Sequence, residues 1–208
     1  MSTKISMAGL YVILPESHET ELVIKQAQQA IDGGARWVQY RSKTLTAKRQ
    51  KTQAQELRGL CCTQGVGFIV NDSLTLAQSV GADGVHWGVT DGSLEQPRTD
   101  YHGIIGISCA NDVERAYQAQ AWGADYVAFG QFGSSQNKNS PYRMTVEQLS
   151  ECRPHLQIPI VVVGGIQWDW VPRLIEAGAD AVAVIGGVFT GDVRENASLY
   201  AQFFIGKH

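Results

Sequence analysis

The sequence predicts an α/β fold, a single-domain (β/α)8 TIM barrel over residues 1–208. Three observations carry that prediction. Eight short apolar runs alternate with longer amphipathic segments, and no Pro- or Ser-rich linker divides them. Most runs are continuous and rich in Val and Ile, as expected of parallel strands covered on both faces. A Gly-Ala pattern also recurs before every second run: Gly34-Ala35-Arg36-Trp37-Val38, Gly81-Ala82-Asp83-Gly84-Val85, Gly123-Ala124-Asp125-Tyr126-Val127 and Gly178-Ala179-Asp180-Ala181-Val182. Its spacings of 47, 42 and 55 residues each hold about two strand–helix units. The alternative is a doubly wound open sheet; the pattern favours the barrel, where alternate strands have similar surroundings.

The elements follow in order. After the run Leu10–Leu14, Val23, Ala27, Ala30 and Ile31 fall at i, i+4, i+7 and i+8, one helical face. Trp37–Tyr40 and Phe68–Val70 are strands two and three, and Asn71 and Asp72 are candidate caps for a helix over Ser73–Val80. Gly84–Trp87 and Ile104–Ile107 are strands four and five; between them Gly92 and Pro97 interrupt any helix over Thr90–Gly103. Strand six is Tyr126–Phe129, and Thr145 with Gln148 three residues on makes a capping box for the next helix. Pro159–Val163 and Ala181–Ile185 complete the strands, with Val171, Leu174, Ile175 and Gly178 on one helical stripe between them. Leu199, Tyr200, Phe203 and Phe204 mark the last helix. The glycine of each repeat reads as a left-handed helix cap.

Composition narrows the function. Lys plus Arg is 17, Asp plus Glu is 20, and the net charge is −3. No basic stripe is present, which argues against nucleic acid as a partner. No run approaches the ~20 apolar residues of a membrane span, and Met1–Met7 does not read as a signal peptide. Cys61, Cys62, Cys109 and Cys152 form no CxxC pair and are expected to be reduced thiols of a cytoplasmic protein. The 22 glycines, about 11% of the chain, exceed the usual ~7%. That excess suits tight turns or backbone that approaches a ligand closely.

In such barrels the active site lies at the C-terminal ends of the strands. Polar residues should therefore follow the apolar runs, and they do. Strand two is followed by Gln39-Tyr40-Arg41-Ser42-Lys43, whose alternation puts an amide and two cations on one side, suited to a pyrophosphate. Asn71 and Asp72 follow strand three; His86, Trp87 and Asp91 follow strand four. Asp72 and Asp91, on adjacent loops, can hold a Mg2+ that bridges phosphate oxygens. Ser108 and Cys109 follow strand five, and no His/Asp partner marks Cys109 as a nucleophile. Strand six leads into Gly130 to Lys138, rich in hydroxyls and amides. Gly164-Gly165 and Gly186-Gly187 follow strands seven and eight, where this fold often builds a phosphate site from backbone N–H groups. Each feature also has a plainer reading: Asp72 as a helix cap, His86 as a packed core imidazole, residues 130–138 as a surface loop. Two phosphate-binding regions on one rim suggest two phosphorylated small-molecule substrates.

These residues resemble the thiamine-phosphate synthase family, also called thiamine-phosphate pyrophosphorylase. The likeness runs from Gly9-Leu10-Tyr11 to Phe189 and rests on Gln39-x-Arg41-x-Lys43, Asn71-Asp72, Gly81 to His86 with Asp91, Gly106-Ile107-Ser108, Gly130 with Lys138, and Gly164-Gly165-Ile166. It implies condensation of hydroxymethylpyrimidine pyrophosphate with thiazole phosphate, releasing pyrophosphate. Gln39, Arg41, Lys43, Asn71, Ser108 and Lys138 would contact the pyrimidine pyrophosphate, with Arg41, Lys43, Ser108 and Lys138 in catalytic roles. Asp72 and Asp91 would hold the cofactor Mg2+. Ser135, Gln136, Asn137, Gly165, Ile185 and Gly186 would contact the thiazole phosphate.

The chain departs from the family in three places. Ser135-Gln136-Asn137 stands where Thr-x-Thr is usual, Gly186 where a serine is usual, and Trp87 where a small aliphatic residue is usual. The first two fall on the thiazole-phosphate side. Rival readings are a thiazole tautomerase of the same superfamily, another phosphate-binding barrel such as an epimerase or tryptophan-pathway enzyme, and a non-catalytic ligand-binding barrel. A homodimer is open to a barrel of this size.

Overall fold

The computed structural model describes residues 6–88, 101–132 and 143–206. Eight parallel strands follow one another around a closed barrel, β1 (Gly9–Ile13), β2 (Ala35–Tyr40), β3 (Gly67–Asn71), β4 (Gly84–Trp87), β5 (Ile104–Ala110), β6 (Tyr126–Gly130), β7 (Ile160–Val163) and β8 (Ala181–Val184). β8 pairs with β1 and closes the sheet. Among the described residues eight α-helices accompany them: α1 (Thr20–Asp32), α2 (Ala47–Gln64), α3 (Leu74–Val80), α4 (Val113–Ala121), α5 (Val146–Cys152), α6 (Val171–Glu176), α7 (Gly186–Phe189) and α8 (Val193–Ala201). None of the described helices is long and apolar enough to cross a membrane. The (β/α)8 expectation is met, with every expected strand in place.

The helices form for local reasons. α1 buries Val23, Ala27 and Ala30, the face expected from their spacing. α5 opens with the capping box in full: the Gln148 N–H donates to the Thr145 hydroxyl, and the Thr145 N–H donates to the Gln148 side chain. α2 and α3 end on Gly65 and Gly81, both left-handed caps. Three details differ from expectation. The cap of α3 is Ser73, whose hydroxyl accepts from the Leu76 N–H, so neither Asn71 nor Asp72 is spent as a cap. The last helix stops at Ala201 and turns into a 3-10 segment, Gln202–Phe204. Thr90–Gly103 lies largely outside the described residues, and its last residues lead into β5.

The aspartate of the Gly-Ala-Asp repeat is a strand staple. The Asp83 carboxylate accepts from the Phe68 N–H at 2.8 Å, Asp125 from Ile105 at 2.9 Å, and Asp180 from Ile160 at 2.8 Å. β4, β6 and β8 thus each hold the first residues of the preceding odd strand at the N-terminal rim; the copy at β2 carries Arg36 instead of the aspartate. Arg58 pairs with Asp83 at 3.2 Å and Arg153 with Asp180 at 3.4 Å. The two-unit period of the repeat follows from this geometry.

The core has two parts. One lies between barrel and helices; the other fills the barrel with Tyr11, Trp37, Ile69, Tyr126, Ala128, Val161, Ala181 and Ala183. Bulky rings are matched by missing ones. Trp37 occupies the space a Cβ on Gly67 would take, and Tyr126 the space of one on Gly106. The barrel is therefore a packed interior, and ligands are left to its rim.

Candidate active site

Period-two alternation decides which residues crown the barrel. Trp37 points inward, so Gln39 does too; Ile69 points inward, so Asn71 does too. Tyr126 packs where Gly106 lacks a side chain, which puts Ser108 on the inner face of β5. In register, Gln39 lies beside Ile69, Asn71 beside His86, and Ser108 beside Ala128. Gln39, Asn71, His86 and Ser108 therefore top four adjacent strands.

Beneath them runs a buried hydrogen-bond chain. The Gln39 side-chain amide donates to the Tyr11 hydroxyl at 2.8 Å; Tyr11 and Tyr126 hydroxyls meet at 3.1 Å; Tyr126 lies 2.9 Å from His86 Nδ1. With Gln39 donating, each hydroxyl proton has an acceptor when Tyr11 donates to Tyr126 and Tyr126 to His86 Nδ1. His86 also stacks on the Tyr126 ring at 5.7 Å, so its core-imidazole reading holds on that side. Burial pushes both tyrosine hydroxyls above their ordinary range, keeping them neutral donors.

Strain is concentrated on the same rim. Among the described residues, three non-glycines have positive φ: Asp72 (63°), Ala110 (52°) and Gln131 (62°). They stand at the C-terminal ends of β3, β5 and β6. Such conformations cost energy and persist where surrounding structure imposes them, often at functional sites. The turn at Asp72 is fixed by its N–H donating to the His86 carbonyl at 2.8 Å. Gly164, with φ of 99°, lets β7 approach β6 closely: a Cβ there would lie 2.7 Å from the Gln131 nitrogen.

The glycine pairs after β7 and β8 enclose a small pocket of about 160 Å³, lined by Gly164, Gly165, Ile166, Ile185, Gly186 and Gly187 among others. Tyr200 of α8 fills the space a Gly187 side chain would need, and its hydroxyl donates to the Ile166 carbonyl at 3.0 Å. Gly165, Ile185 and Gly186 are thus brought together as expected. A Cβ on Gly186 would meet nothing within 4 Å.

Arg41 and Lys43 are exposed on the loop after β2. Asp91, Ser135, Gln136, Asn137 and Lys138 lie outside the described residues. Among the described residues no group of three or more His, Cys, Asp or Glu stands together as a metal site. The oxygen donors of Asp72 and Asp91 fit Mg2+, which commonly takes one or two carboxylates and completes its shell with phosphate oxygens and water. Cys109 is fully buried, and burial pushes its thiol up to about 12. Burial thus favours the neutral thiol near neutral pH, and the thiolate is the nucleophilic form.

Four residues of the rim were not expected. Tyr11 and Tyr126 read as ordinary members of apolar runs; a hydroxyl at an inward position was the available signal. Arg115 of α4 donates from Nε to the Ser108 carbonyl at 2.9 Å and from a terminal nitrogen to the Gly88 carbonyl at 3.4 Å, bracing the ends of β4 and β5. Glu16, after β1, bonds the loop that carries Lys43.

Known proteins resemble the chain along most of its length. Residues 10–188 match the family model described as thiamine monophosphate synthase. The chain is 42% identical over 201 residues to a thiamine-phosphate synthase of Nitrosospira multiformis, covering 95% of this chain and 86% of that protein. It is 43% identical to the thiamine-phosphate synthase of Methylococcus capsulatus, covering 94% and 89%. The solved thiamine phosphate pyrophosphorylase of Pyrococcus furiosus superimposes with a TM-score of 0.82 at 28% identity, covering 94% of each chain. Orotidine 5'-phosphate decarboxylase of Pyrococcus horikoshii, at 18% identity and a TM-score of 0.69, shares the fold.

Proposed function

Because the chain belongs to the thiamine monophosphate synthase family, we propose that it is a transferase joining a hydroxymethylpyrimidine pyrophosphate to a thiazole phosphate. Thiamine phosphate and pyrophosphate are the products. One observation supports this reading above the others: two different anion-suited regions share the C-terminal rim. The polar crown of Gln39, Asn71 and Ser108, with Arg41 and Lys43 beside it, suits a pyrophosphate; the glycine pocket of about 160 Å³ suits one phosphate.

The chemistry asks little of any nucleophile. The bond between the pyrimidine methylene carbon and the pyrophosphate oxygen breaks, and its electron pair leaves with pyrophosphate. The thiazole nitrogen lone pair then forms the new carbon–nitrogen bond. No proton moves at the forming bond. The residues' work is to hold both substrates in line and to neutralise the leaving charge. Arg41, Lys43 and Lys138 supply positive charge to the leaving group. Asn71 and Ser108 donate hydrogen bonds to it, and Gln39, anchored by Tyr11, fixes the pyrimidine end. Asp72 and Asp91 would hold Mg2+, which when bound adds charge neutralisation at the pyrophosphate oxygens. Ser135, Gln136, Asn137, Gly165, Ile185 and Gly186 face the thiazole phosphate in this reading. A homodimer, the commonest closed assembly, and a cytoplasmic location complete the proposal.

Purified protein tests it. Pyrophosphate release should require both substrates and stop when Mg2+ is chelated. Release with neither requirement, or tight binding of the pyrimidine pyrophosphate with no release, would overturn it in favour of a binding protein or tautomerase.

A further inference from the structure

Glu16 has no part in the chemistry above, yet it makes the densest polar contact of the described rim. One carboxylate oxygen accepts from the Ser42 hydroxyl at 2.6 Å, the Lys43 N–H at 2.9 Å, the Thr44 N–H at 2.8 Å and the Thr44 hydroxyl at 3.0 Å. Consecutive backbone N–H groups converging on one oxygen form an anion-binding concavity. Here the anion is the protein's own, reaching from 26 to 28 residues earlier in the chain. The Ser42 hydroxyl first, and then the other donors, hold this carboxyl down at about 2 although it is exposed. The folded value lies below the ordinary ~4.3 of a free glutamate, so the clamp is complete above that value and lost as pH falls toward 2. Near neutrality the four bonds are charge-assisted.

The clamp closes on the loop that carries Arg41 and Lys43, and one of its donors is the N–H of Lys43 itself. The segment around Glu16 is also tied to the elements on either side of that loop, by the Leu14 N–H to the carbonyl of Gln39 in β2 at 3.0 Å and by the side-chain amide of Gln53 in α2 to the Ser17 carbonyl at 3.0 Å. Beyond these ties Arg41, Lys43 and Thr44 are exposed. Two long cations on an exposed loop lose much freedom when they grip an anion, unless the backbone under them is already fixed. A plain loop staple would raise stability and leave ligand affinity alone. The specific placement on Lys43 points further.

We propose that Glu16 is a positioning residue: by filling the 42–44 concavity it pre-sets the Arg41–Lys43 loop for the pyrophosphate group. This rests on the reading that Arg41 and Lys43 bind that group.

The test compares Glu16→Ala, Glu16→Gln, Lys43→Ala and the double variant Glu16→Ala/Lys43→Ala. Their readouts are thermal unfolding, affinity for inorganic pyrophosphate with Mg2+, and steady-state kinetics. Glu16→Ala should weaken pyrophosphate binding and raise KM for the pyrimidine substrate about tenfold, with kcat changed less than about threefold. Glu16→Gln keeps an acceptor without the charge and should fall between Ala and wild type. The double variant should lose less than the sum of the two single losses, because part of the Glu16 effect passes through that lysine and the rest through Arg41. Glu16→Ala with wild-type affinity, tighter binding, or effects that add fully in the double variant would overturn the inference. If Lys43→Ala itself leaves affinity unchanged, it is the parent reading of Arg41 and Lys43 that fails.

Discussion

The two rims of this barrel are built on opposite plans. At the N-terminal rim one device repeats: Asp83, Asp125 and Asp180 each accept the N–H of the neighbouring odd strand. At the C-terminal rim no single side-chain device repeats from strand to strand. Gln39, Asn71, His86 and Ser108 stand near the ends of four different strands, glycine pairs follow two more, and all three described non-glycine residues with positive φ stand there. Repetition solves a problem that every strand pair shares, which is closing the sheet. Variety, with strained backbone, suits a site where each position meets a different atom of a ligand. The lesson is that exceptions to a repeat locate function, while the repeat itself locates stability.

Breaking the C-terminal rim should have the largest effect on turnover. Asp72→Ala and Lys138→Ala should each lower kcat by about 10²–10³, by analogy with removal of one charge-stabilising donor. Unfolding temperature should barely move for Lys138→Ala and fall by a few degrees at most for Asp72→Ala, because Ala tolerates the left-handed turn at φ 63° less well than Asp. Near-wild-type turnover in a folded variant would remove that residue from the site.

Gly164→Ala sharpens the comparison by adding only one methyl to that rim. The new Cβ would face the Gln131 backbone at 2.7 Å, from a φ of 99°. Strain of roughly 1–3 kcal/mol is expected. Displacement of the β6 and β7 loops should lower turnover by up to ~10², since small misplacements near a site carry such losses. Kinetics and denaturant unfolding on the same sample check both.

The opposite rim should respond in the opposite way. Asp180→Ala leaves the buried Ile160 N–H without its carboxylate and should cost about 1–3 kcal/mol. In a chain of 208 residues that is a drop of roughly 2–12 °C in Tm. The kcat should stay within about twofold of wild type.

Smaller effects are expected where the chemistry is already settled by burial or space. Burial raises the Cys109 thiol to about 12, so the neutral form persists at pH 8. Iodoacetamide should not modify it in the folded protein, and its replacement by Ala should leave kcat within about twofold. Gly186→Ser should cost less than about 0.5 kcal/mol, as at other unconstrained surface positions, because its Cβ meets nothing within 4 Å. KM for the thiazole phosphate is the parameter it should change.

Most of the fold was legible because its signals are local. The apolar runs, the Thr145–Gln148 capping box and the Gly-Ala-Asp period each lie within a few residues or a regular interval. Of the candidate site, the sequence showed the placement where polar or glycine residues end an apolar run, as in Gln39 at the end of β2 and the glycine pairs that line one pocket. It was not legible where two distant residues make one feature. Tyr11 and Tyr126 meet across 115 residues, and Glu16 reaches Ser42 across 26. Which residue caps α3 was open for a local reason: several good caps stand in a row, and the helix took Ser73, leaving Asp72 in a left-handed turn.

The most direct measurement sets one variant from each rim side by side: pyrophosphate release and thermal unfolding of wild type, Lys43→Ala and Asp180→Ala. Wild type should release pyrophosphate only with both substrates and Mg2+. Lys43→Ala should lose about 10² or more in turnover efficiency with Tm unchanged, and Asp180→Ala should lose Tm with turnover kept. Equal losses in both variants, or the reverse pattern, would contradict the division of labour between the rims.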